Sequence, residues 1–143
     1  MIKLAETKEE KDNCYELICL QIKEEQKYNS DLSIPNKKNI IKNMNTSDAI
    51  FLIDIEDNEI VGYISAYIFN ILNEIQINGL YVKENYRRQK IGTNLLNAVL
   101  KIASDKNIDR IKLYTYSQNE SLIKFYENFG FEEIKKEFSY TLK

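Results

Sequence analysis

A basic segment in the middle of the chain has the residue types that bind phosphate. Residues 80–93 read LYVKENYRRQKIGT, which is the end of an apolar run, a cluster of positive side chains and the start of a helical pattern. A helix N-terminus has backbone N–H groups without intrahelical partners and the positive end of the helix dipole. Arginine adds a planar group that can hold two phosphate oxygens. The segment therefore predicts a site for a ligand that carries phosphate.

A second candidate segment begins about 30 residues further along the chain, where residues 119–131 read NESLIKFYENFGF. Asn119 is a favoured N-cap residue and Gly130 a favoured helix end, so a helix between them is predicted. Its apolar stripe consists of Leu122, Phe125, Tyr126 and Phe129. On its own, Tyr126 could be an ordinary core tyrosine whose hydroxyl reaches the surface.

The residue inventory excludes several kinds of catalytic site. The chain has no histidine, which removes Ser-His-Asp and Cys-His pairs and the usual proton shuttle near neutral pH. Cys14 and Cys19 are the only cysteines, so neither a zinc site nor a disulfide framework is indicated and no metal is expected. Any chemistry must use tyrosine, carboxylates, the backbone and water.

Length and charge set further limits. A chain of 143 residues with 43% hydrophobic residues predicts one domain over residues 1–143. A net charge of -2 argues against a nucleic-acid or anionic membrane surface. No stretch reaches the roughly 18 apolar residues of a membrane span, and the N-terminus lacks a signal-peptide core. We expect a cytoplasmic protein.

Hydrophobic periodicity predicts an α+β fold, with strands and helices that form a mixed, mostly antiparallel sheet of six to seven strands with about four helices. Thr7 and Glu10 form a capping-box pattern for the first helix, and Pro35 suits the first position of the second. The other two helices cover 91–105 and 119–129. Strands are predicted at 2–5, 49–55, 60–69, 75–82, 111–116, 131–134 and 138–142.

Together, the segments 82–92 and 119–131 resemble the GCN5-related N-acetyltransferase (GNAT) family, and the order of predicted elements agrees with it over nearly the whole chain. The resemblance implies a sheet splayed between strands 75–82 and 111–116. Acetyl-coenzyme A would lie in the opening and its acetyl group would pass to an amine.

The resemblance also assigns roles to residues. The pyrophosphate loop maps onto residues 87–92, where Lys90 replaces the first glycine of the family pattern; this departure matters only if the backbone needs a positive φ or has no room for a side chain. Tyr126 matches the general acid that protonates the thiolate of coenzyme A. The implied coenzyme-binding residues are Leu80, Tyr81, Val82, Arg87, Arg88, Gln89, Lys90, Ile91, Gly92, Thr93, Asn119 and Tyr126.

A general base is harder to assign. Deprotonating a lysine-like amine costs about 4.6 kcal/mol at pH 7. Family members often use a carboxylate on the strand before the loop, but the matching position here is Asn78, which cannot act as a base. Glu74 is the nearest alternative on the same strand face, although it could equally be a solvated strand edge.

The sequence hypothesis is an acetyl-CoA-dependent N-acetyltransferase that acts on a primary amine of a small molecule, peptide or protein. One alternative is a non-catalytic acyl-CoA-binding sensor or interaction module, motivated by Asn78 and Lys90. A nucleotide-binding module is a third, but the Walker and dinucleotide glycine patterns are absent. Phe138 and Tyr140 on the last predicted strand suggest a homodimer or simply the end of the core.

Overall fold

The computed structural model describes residues 1–142 and contains one five-stranded sheet with helices on both faces. The strands lie in the sheet in chain order. They are β1 (Ile2–Leu4), β2 (Ala49–Glu56), β3 (Glu59–Phe69), β4 (Glu74–Val82) and β5 (Arg110–Leu113). The helices are α1 (Lys8–Glu25), α2 (Lys37–Met44), α3 (Ile91–Asp105) and α4 (Glu120–Phe129).

The first four strands form an antiparallel meander, and β5 pairs parallel to β4 through the crossover helix α3. Asp57 and Asn58 join β2 to β3 with φ angles of 51° and 64°. Positive φ at both central residues is the geometry of a type I′ hairpin turn, which asparagine and aspartate tolerate. The prediction of a mixed, mostly antiparallel sheet is therefore confirmed.

Two apolar clusters fill the space between the sheet and its helices. The larger cluster joins α3 and Tyr126 of α4 to one face, with Leu95, Leu96 and Val99 fully buried. The smaller cluster joins α1 and Met44 of α2 to the other face, with Cys14 and Tyr63 at its centre. The sheet is thus covered on both sides, as a mixed sheet requires.

Both N-terminal helices begin at side-chain caps. Thr7 and Glu10 form the predicted capping box of α1. In α2 the cap is Asn36, whose side chain accepts from the Asn39 N–H, so Pro35 precedes the helix instead of opening it. The prediction for Pro35 was wrong because the asparagine side chain satisfies the free N–H groups at the helix start. None of the helices within residues 1–142 combines the length and apolar character needed to span a bilayer.

The predicted C-terminal hairpin is absent. Residues 131–142 contain no strand, so the sheet has five strands and not six or seven. The alternating pattern of this segment favours strands, but residues 135–137 read Lys-Lys-Glu and offer none of the residues that adopt positive φ in a tight turn. Phe131 instead packs its ring against Tyr126 and Phe129, while Phe138 and Tyr140 are exposed.

Candidate active site between two splayed strands

An opening forms between β4 and β5 because their pairing stops before β4 ends. The parallel register runs from Glu74 opposite Arg110 to Ile77 opposite Leu113. Strand β4 then continues to Val82 without a neighbour on that side. The opening lies at the carboxyl ends of two parallel strands, where ligands commonly bind in such sheets.

A β-bulge marks the base of the opening. Ser65 of β3 pairs with Gly79 and the next residue, Ala66, pairs with Ile77, so Asn78 is the extra residue in β4. A bulge bends its strand and increases the local twist, which turns β4 away from β5. Asn78 is exposed and accepts from the Gln76 amide at 3.2 Å.

Backbone groups of β4 point into the opening. Lys83 N–H donates to the Val61 carbonyl on the β3 side at 2.8 Å. Because backbone groups alternate along an antiparallel strand, Leu80 and Val82 direct their N–H and C=O groups to the opposite side. The Tyr81 backbone therefore pairs with β3, and its hydroxyl donates to Glu24 at 3.2 Å.

The N-terminus of α3 is the second wall. Within residues 1–142, the N–H groups of residues 89–93 donate to no protein acceptor. Arg88 and Lys90 adopt left-handed backbone conformations, with φ angles of 65° and 66°. The position where the family pattern has glycine thus does require positive φ, and Lys90 adopts it at a cost of about 1–2 kcal/mol.

Side chains of the loop take different directions. Ile91 is buried against Gly62, so it offers the opening only its N–H group. Arg87 donates from Nε to the Val82 carbonyl at 2.7 Å and forms an ion pair with Glu24 at 3.0 Å. Arg87 therefore braces the end of β4, whereas Arg88, Gln89 and Lys90 are exposed.

Three elements converge at Gly92. A Cβ atom at Gly92 would lie 3.6 Å from the Phe125 ring of α4 and 4.0 Å from the Val82 side chain. The start of α3, the end of β4 and α4 thus meet at one point, next to Tyr126. The side chain of Thr93 is half-buried beside them.

Tyr126 is only 6% exposed, and its hydroxyl has no hydrogen-bond partner among residues 1–142. The Phe125 and Phe131 rings contact its ring edge to face. Burial raises the pKa of Tyr126, and the negative charge of Glu25 raises it further. Glu25 ends α1, which packs on the other face of the sheet, so its charge acts on the phenol from that side.

Asn119 caps α4, as the sequence predicts. Its Oδ1 accepts from the Leu122 N–H and the Ser121 hydroxyl, each at 3.3 Å. The Nδ2 donor makes no hydrogen bond within the described residues and is available to a ligand.

Glu74 lies away from these residues. It is at the opposite end of β4, eight residues or about 26 Å of extended strand from Val82. Lys112 contacts its carboxylate at 2.9 Å and Arg110 at 3.5 Å, and the residue is 8% exposed. The structure therefore gives Glu74 a pairing role between β4 and β5 and does not bring it to the opening.

Four further residues lie at the opening. Three of them carried no signal in the sequence, and the fourth, Glu25, is one of several scattered acidic residues that could attract a cationic amine or simply aid solubility. Tyr63 of β3 donates a hydrogen bond to the Gln21 side chain of α1, and the two are 42 residues apart. Glu25 follows Gln21 by one helical turn. The Thr115 Oγ1 atom, just beyond β5, is buried without a partner in the described part of the chain. Only the tertiary fold brings these groups together.

A comparison with models of known protein families identifies the family of this chain. Residues 8–131 match the model described as the acetyltransferase (GNAT) family. The chain belongs to the GNAT family. Acetyltransferases of this family use acetyl-CoA.

Named GNAT relatives share parts of the sequence. A spermidine N(1)-acetyltransferase from Thermoplasma acidophilum is 33% identical over 93 residues, which cover 65% of this chain and 56% of that protein. N-alpha-acetyltransferase 50 from Danio rerio is 48% identical over 56 residues, or 38% of this chain and 33% of that one. The matches thus span between a third and just over half of these relatives' lengths.

Among solved structures, an acetyltransferase of the GNAT family from Staphylococcus aureus Mu50 is 30% identical with a TM-score of 0.78, covering 95% of this chain and 87% of that one. An aminoglycoside N-acetyltransferase, AAC(6')-Iy, in complex with CoA has 16% identity and a TM-score of 0.78, with coverage of 100% and 99%. Because the identity to the aminoglycoside N-acetyltransferase is only 16%, that similarity concerns the fold alone. Both agree with the mixed sheet and four helices described above.

Proposed function

We propose that this GNAT protein transfers the acetyl group of acetyl-CoA to a primary amine. The observation that carries the proposal is the convergence of three features at one opening. These are the unpaired edge of β4, the free N–H groups at the start of α3 and the Tyr126 hydroxyl, which has no hydrogen-bond partner among residues 1–142. Membership of the GNAT family supports the same reaction, as does its similarity to a spermidine acetyltransferase and an N-alpha-acetyltransferase.

The opening suits an extended ligand that ends in phosphate. The inward-facing backbone groups of Leu80 and Val82 would pair with the amide groups of the pantetheine arm as a further strand would. Free N–H groups of residues 89–93 would hold the pyrophosphate, because a helix N-terminus favours anions. The free Asn119 Nδ2 and the orphan Thr115 hydroxyl supply two further polar partners.

The positive side chains near the opening would have two different roles when acetyl-CoA is bound. Arg88 and Lys90 are exposed at the loop and would add charge beside the phosphates. Arg87 already binds Glu24 and the Val82 carbonyl, so it would position the loop relative to β4. It would contact phosphate directly only after leaving Glu24.

The transfer is a direct attack of the amine on the thioester carbonyl. A backbone N–H at the edge of β4 steadies the negative charge that develops on the carbonyl oxygen. The new C–N bond replaces the C–S bond, and Tyr126 donates its proton to the departing thiolate. A tyrosine is protonated at neutral pH and burial raises the pKa of Tyr126 further, so the proton is present when the bond breaks.

Thermal unfolding with different ligands tests the binding half of the proposal. The ligands are acetyl-CoA, desulfo-CoA, ATP and NAD, and a ligand at 100 times its Kd adds about 2.7 kcal/mol to the unfolding free energy. Acetyl-CoA and desulfo-CoA should raise the melting temperature, and ATP and NAD should not. An equal shift with ATP or NAD would point to a nucleotide site, and no shift with acetyl-CoA would contradict the proposal.

A non-catalytic acyl-CoA-binding module is the second candidate, and one observation favours it. The bulge position of β4 holds Asn78, so no carboxylate of that strand lies at the opening. Thiol release from acetyl-CoA with a panel of amines separates the two functions. Binding without turnover for every amine would favour the module, and turnover with any amine would exclude it.

A further inference from the structure

Glu25 is connected to the base of the opening by a short chain of polar contacts. The Gln21 amide lies 3.5 Å from the Glu25 carboxylate, and its carbonyl oxygen accepts from the Tyr63 hydroxyl. That hydroxyl lies against Gly79, the first residue after the bulge, where an added Cβ would overlap it. A carboxylate from the end of α1 is thus linked to the bulge in β4.

The charge of Glu25 has no compensating cation. Glu24 is paired with Arg87 and Glu74 with Lys112, but no lysine or arginine of residues 1–142 lies within 4 Å of the Glu25 carboxylate. Burial, and then the neighbouring Glu24, raise the pKa of Glu25, while the Gln21 hydrogen bond opposes them. A partly buried carboxylate without a partner is costly, and a cationic ligand would relieve that cost.

The surroundings of Glu25 place it beside the proposed chemistry. Its negative charge raises the pKa of Tyr63 and of Tyr126. The Tyr28 ring, just after α1, stacks on the Tyr116 ring, just after β5, with centroids 5.8 Å apart. The end of α1 therefore covers the opening on the side opposite α4, and an acceptor would lie between them.

We propose that Glu25 holds the ammonium group of the acceptor and takes its first proton, as the general base of the proposed transfer. The assignment rests on the proposed function, because it needs an amine and a thioester in the opening. It also accounts for the absence of a carboxylate at the Asn78 position, since the base comes from α1 instead of β4.

Each proton that moves in the proposed transfer has a donor and an acceptor. Glu25 accepts one proton from R–NH₃⁺ and leaves the neutral amine. The amine nitrogen forms the C–N bond, the C–S bond breaks, and the thiolate receives the Tyr126 proton. The nitrogen then loses its second proton through water to restore Tyr126, and Glu25 returns its proton to solvent. The products are the N-acetyl amine, the free thiol and one proton.

The two residues are coupled by charge. Tyr126 has a raised pKa first because of burial and second because of the Glu25 charge. When Glu25 takes the amine proton, its charge disappears and the second cause is removed. Tyr126 then becomes a better acid at the moment when the thiolate needs a proton.

The test compares Glu25→Gln with the matched control Glu16→Gln, an exposed glutamate of the same helix, in thiol release from acetyl-CoA. The amine probes are spermidine and a short peptide with a free N-terminus, which are charged at pH 7, and aniline, which is neutral. Glu25→Gln should lower kcat/KM about 100-fold for the charged amines and less than threefold for aniline. Glu16→Gln should have no such selective effect, and neither variant should have a lower melting temperature or a smaller acetyl-CoA shift than wild type.

The pH profile is a second readout. The titratable groups that face Glu25 are Glu24 from α1, Tyr63 from β3 and Tyr126 from α4. With spermidine, wild-type kcat/KM should rise as Glu25 loses its proton and then level off, whereas kcat/KM of Glu25→Gln should keep rising with pH until the amine itself is deprotonated.

The possible outcomes distinguish the role of Glu25 from the proposed function. If wild-type protein transfers acetyl to none of these amines, the proposed function and the role of Glu25 both fall. If wild type transfers acetyl and Glu25→Gln equals it for charged amines, the role of Glu25 falls and the proposed function stands. An equal loss for charged amines and aniline would also overturn the base role, because aniline has no proton to give before attack.

Discussion

Tyr126 combines two properties that rarely occur together in a core residue. It is buried within an aromatic cluster, yet its hydroxyl has no protein partner among residues 1–142. The hydroxyl therefore adds no hydrogen bond to the folded protein and is available to a ligand in the opening.

Replacing Tyr126 with phenylalanine should therefore separate activity from stability. We expect kcat to fall about 100-fold, while the KM for acetyl-CoA changes less than threefold and the melting temperature does not decrease. Steady-state thiol release and thermal unfolding measure these effects. Tyr114→Phe is the matched control because Tyr114 is exposed beyond β5. Equal turnover in Tyr126→Phe would remove the acid role.

Lys90 places a side chain at a backbone position that favours glycine, with φ at 66°. Lys90→Gly should raise the unfolding free energy by about 1 kcal/mol, because glycine adopts this conformation without the Cβ clash. Lys90→Ala removes the same charge but keeps the clash, so it should not stabilise. Urea denaturation compares the two variants, and equal stabilities would contradict the assignment of strain.

The acetyl-CoA affinity of these two variants isolates the charge. If Lys90 contributes charge to phosphate binding, Lys90→Gly and Lys90→Ala should lose a similar part of the affinity, and the loss should shrink at high salt. Isothermal titration measures this effect. Unchanged affinity in both variants would show that the backbone N–H groups alone hold the phosphates.

Single-residue predictions from the sequence succeeded where a role depends on local structure. The Asn119 cap follows from the helix that it begins. The contacts that join Glu25, Gln21 and Tyr63 could not be predicted, because they link α1 to β3 across 42 residues of sequence. Glu74 illustrates the converse problem: its strand face was predictable, but its pairing with Lys112 of β5 was not.

Helix α1 depends on a carboxylate that titrates unusually low. The pKa of Glu10 is lowered to about 2, first by the Lys3 hydrogen bond and then by the Thr7 and Glu6 N–H groups. A lowered pKa in the folded state gives stability that is complete above the ordinary value near 4.5 and is lost as the pH falls toward 2.

Glu10→Gln should therefore lower the unfolding free energy by about 1 kcal/mol at pH 7. The difference from wild type should shrink between pH 4.5 and 2, because wild-type Glu10 becomes protonated there. Urea denaturation across this pH range provides the measurement. Glu9→Gln is the control, since Glu9 is exposed in the same helical turn. A difference that is constant with pH would contradict this account of the capping box.

Strand β4 depends on glycine at the bulge. An alanine Cβ at Gly79 would overlap the Tyr63 hydroxyl and come within 3.0 Å of the Gln21 side chain. Gly79→Ala should cost about 1–3 kcal/mol and disturb the Gln21–Tyr63 hydrogen bond. Gly92→Ala is the control, because its Cβ would meet neighbours only at 3.6 Å or more. Thermal unfolding measures the stability of both variants, and equal stability would contradict the close contact at Gly79.

Helices and strands whose hydrophobic residues recur regularly were predictable from the sequence. Elements whose ends depend on pairing with a distant strand were predicted less accurately. Helix α3 has the predicted bounds because its apolar stripe and its first residues agree. Strand β5 ends at Leu113, not at residue 116, since its pairing with β4 stops at the bulge. The hairpin predicted for residues 131–142 failed because alternation alone does not supply a turn.

Across the chain, the order of strands and helices was enough to predict the topology, since a strand, a helix and a strand give a right-handed parallel crossover. Phe138 and Tyr140 are among the exposed apolar side chains near the C-terminus. A homodimer that buries them stays a prediction. The opening between β4 and β5 depends on both ends of the chain, because α1 covers one side and α4 the other.

Acetyl transfer itself is tested most directly by amine-dependent thiol release from acetyl-CoA, with mass spectrometry of the amine product. The account predicts that release requires an amine and that each free thiol is matched by one N-acetyl group on that amine. Binding of acetyl-CoA with no release across a broad amine panel, or release without an acetylated product, would contradict it.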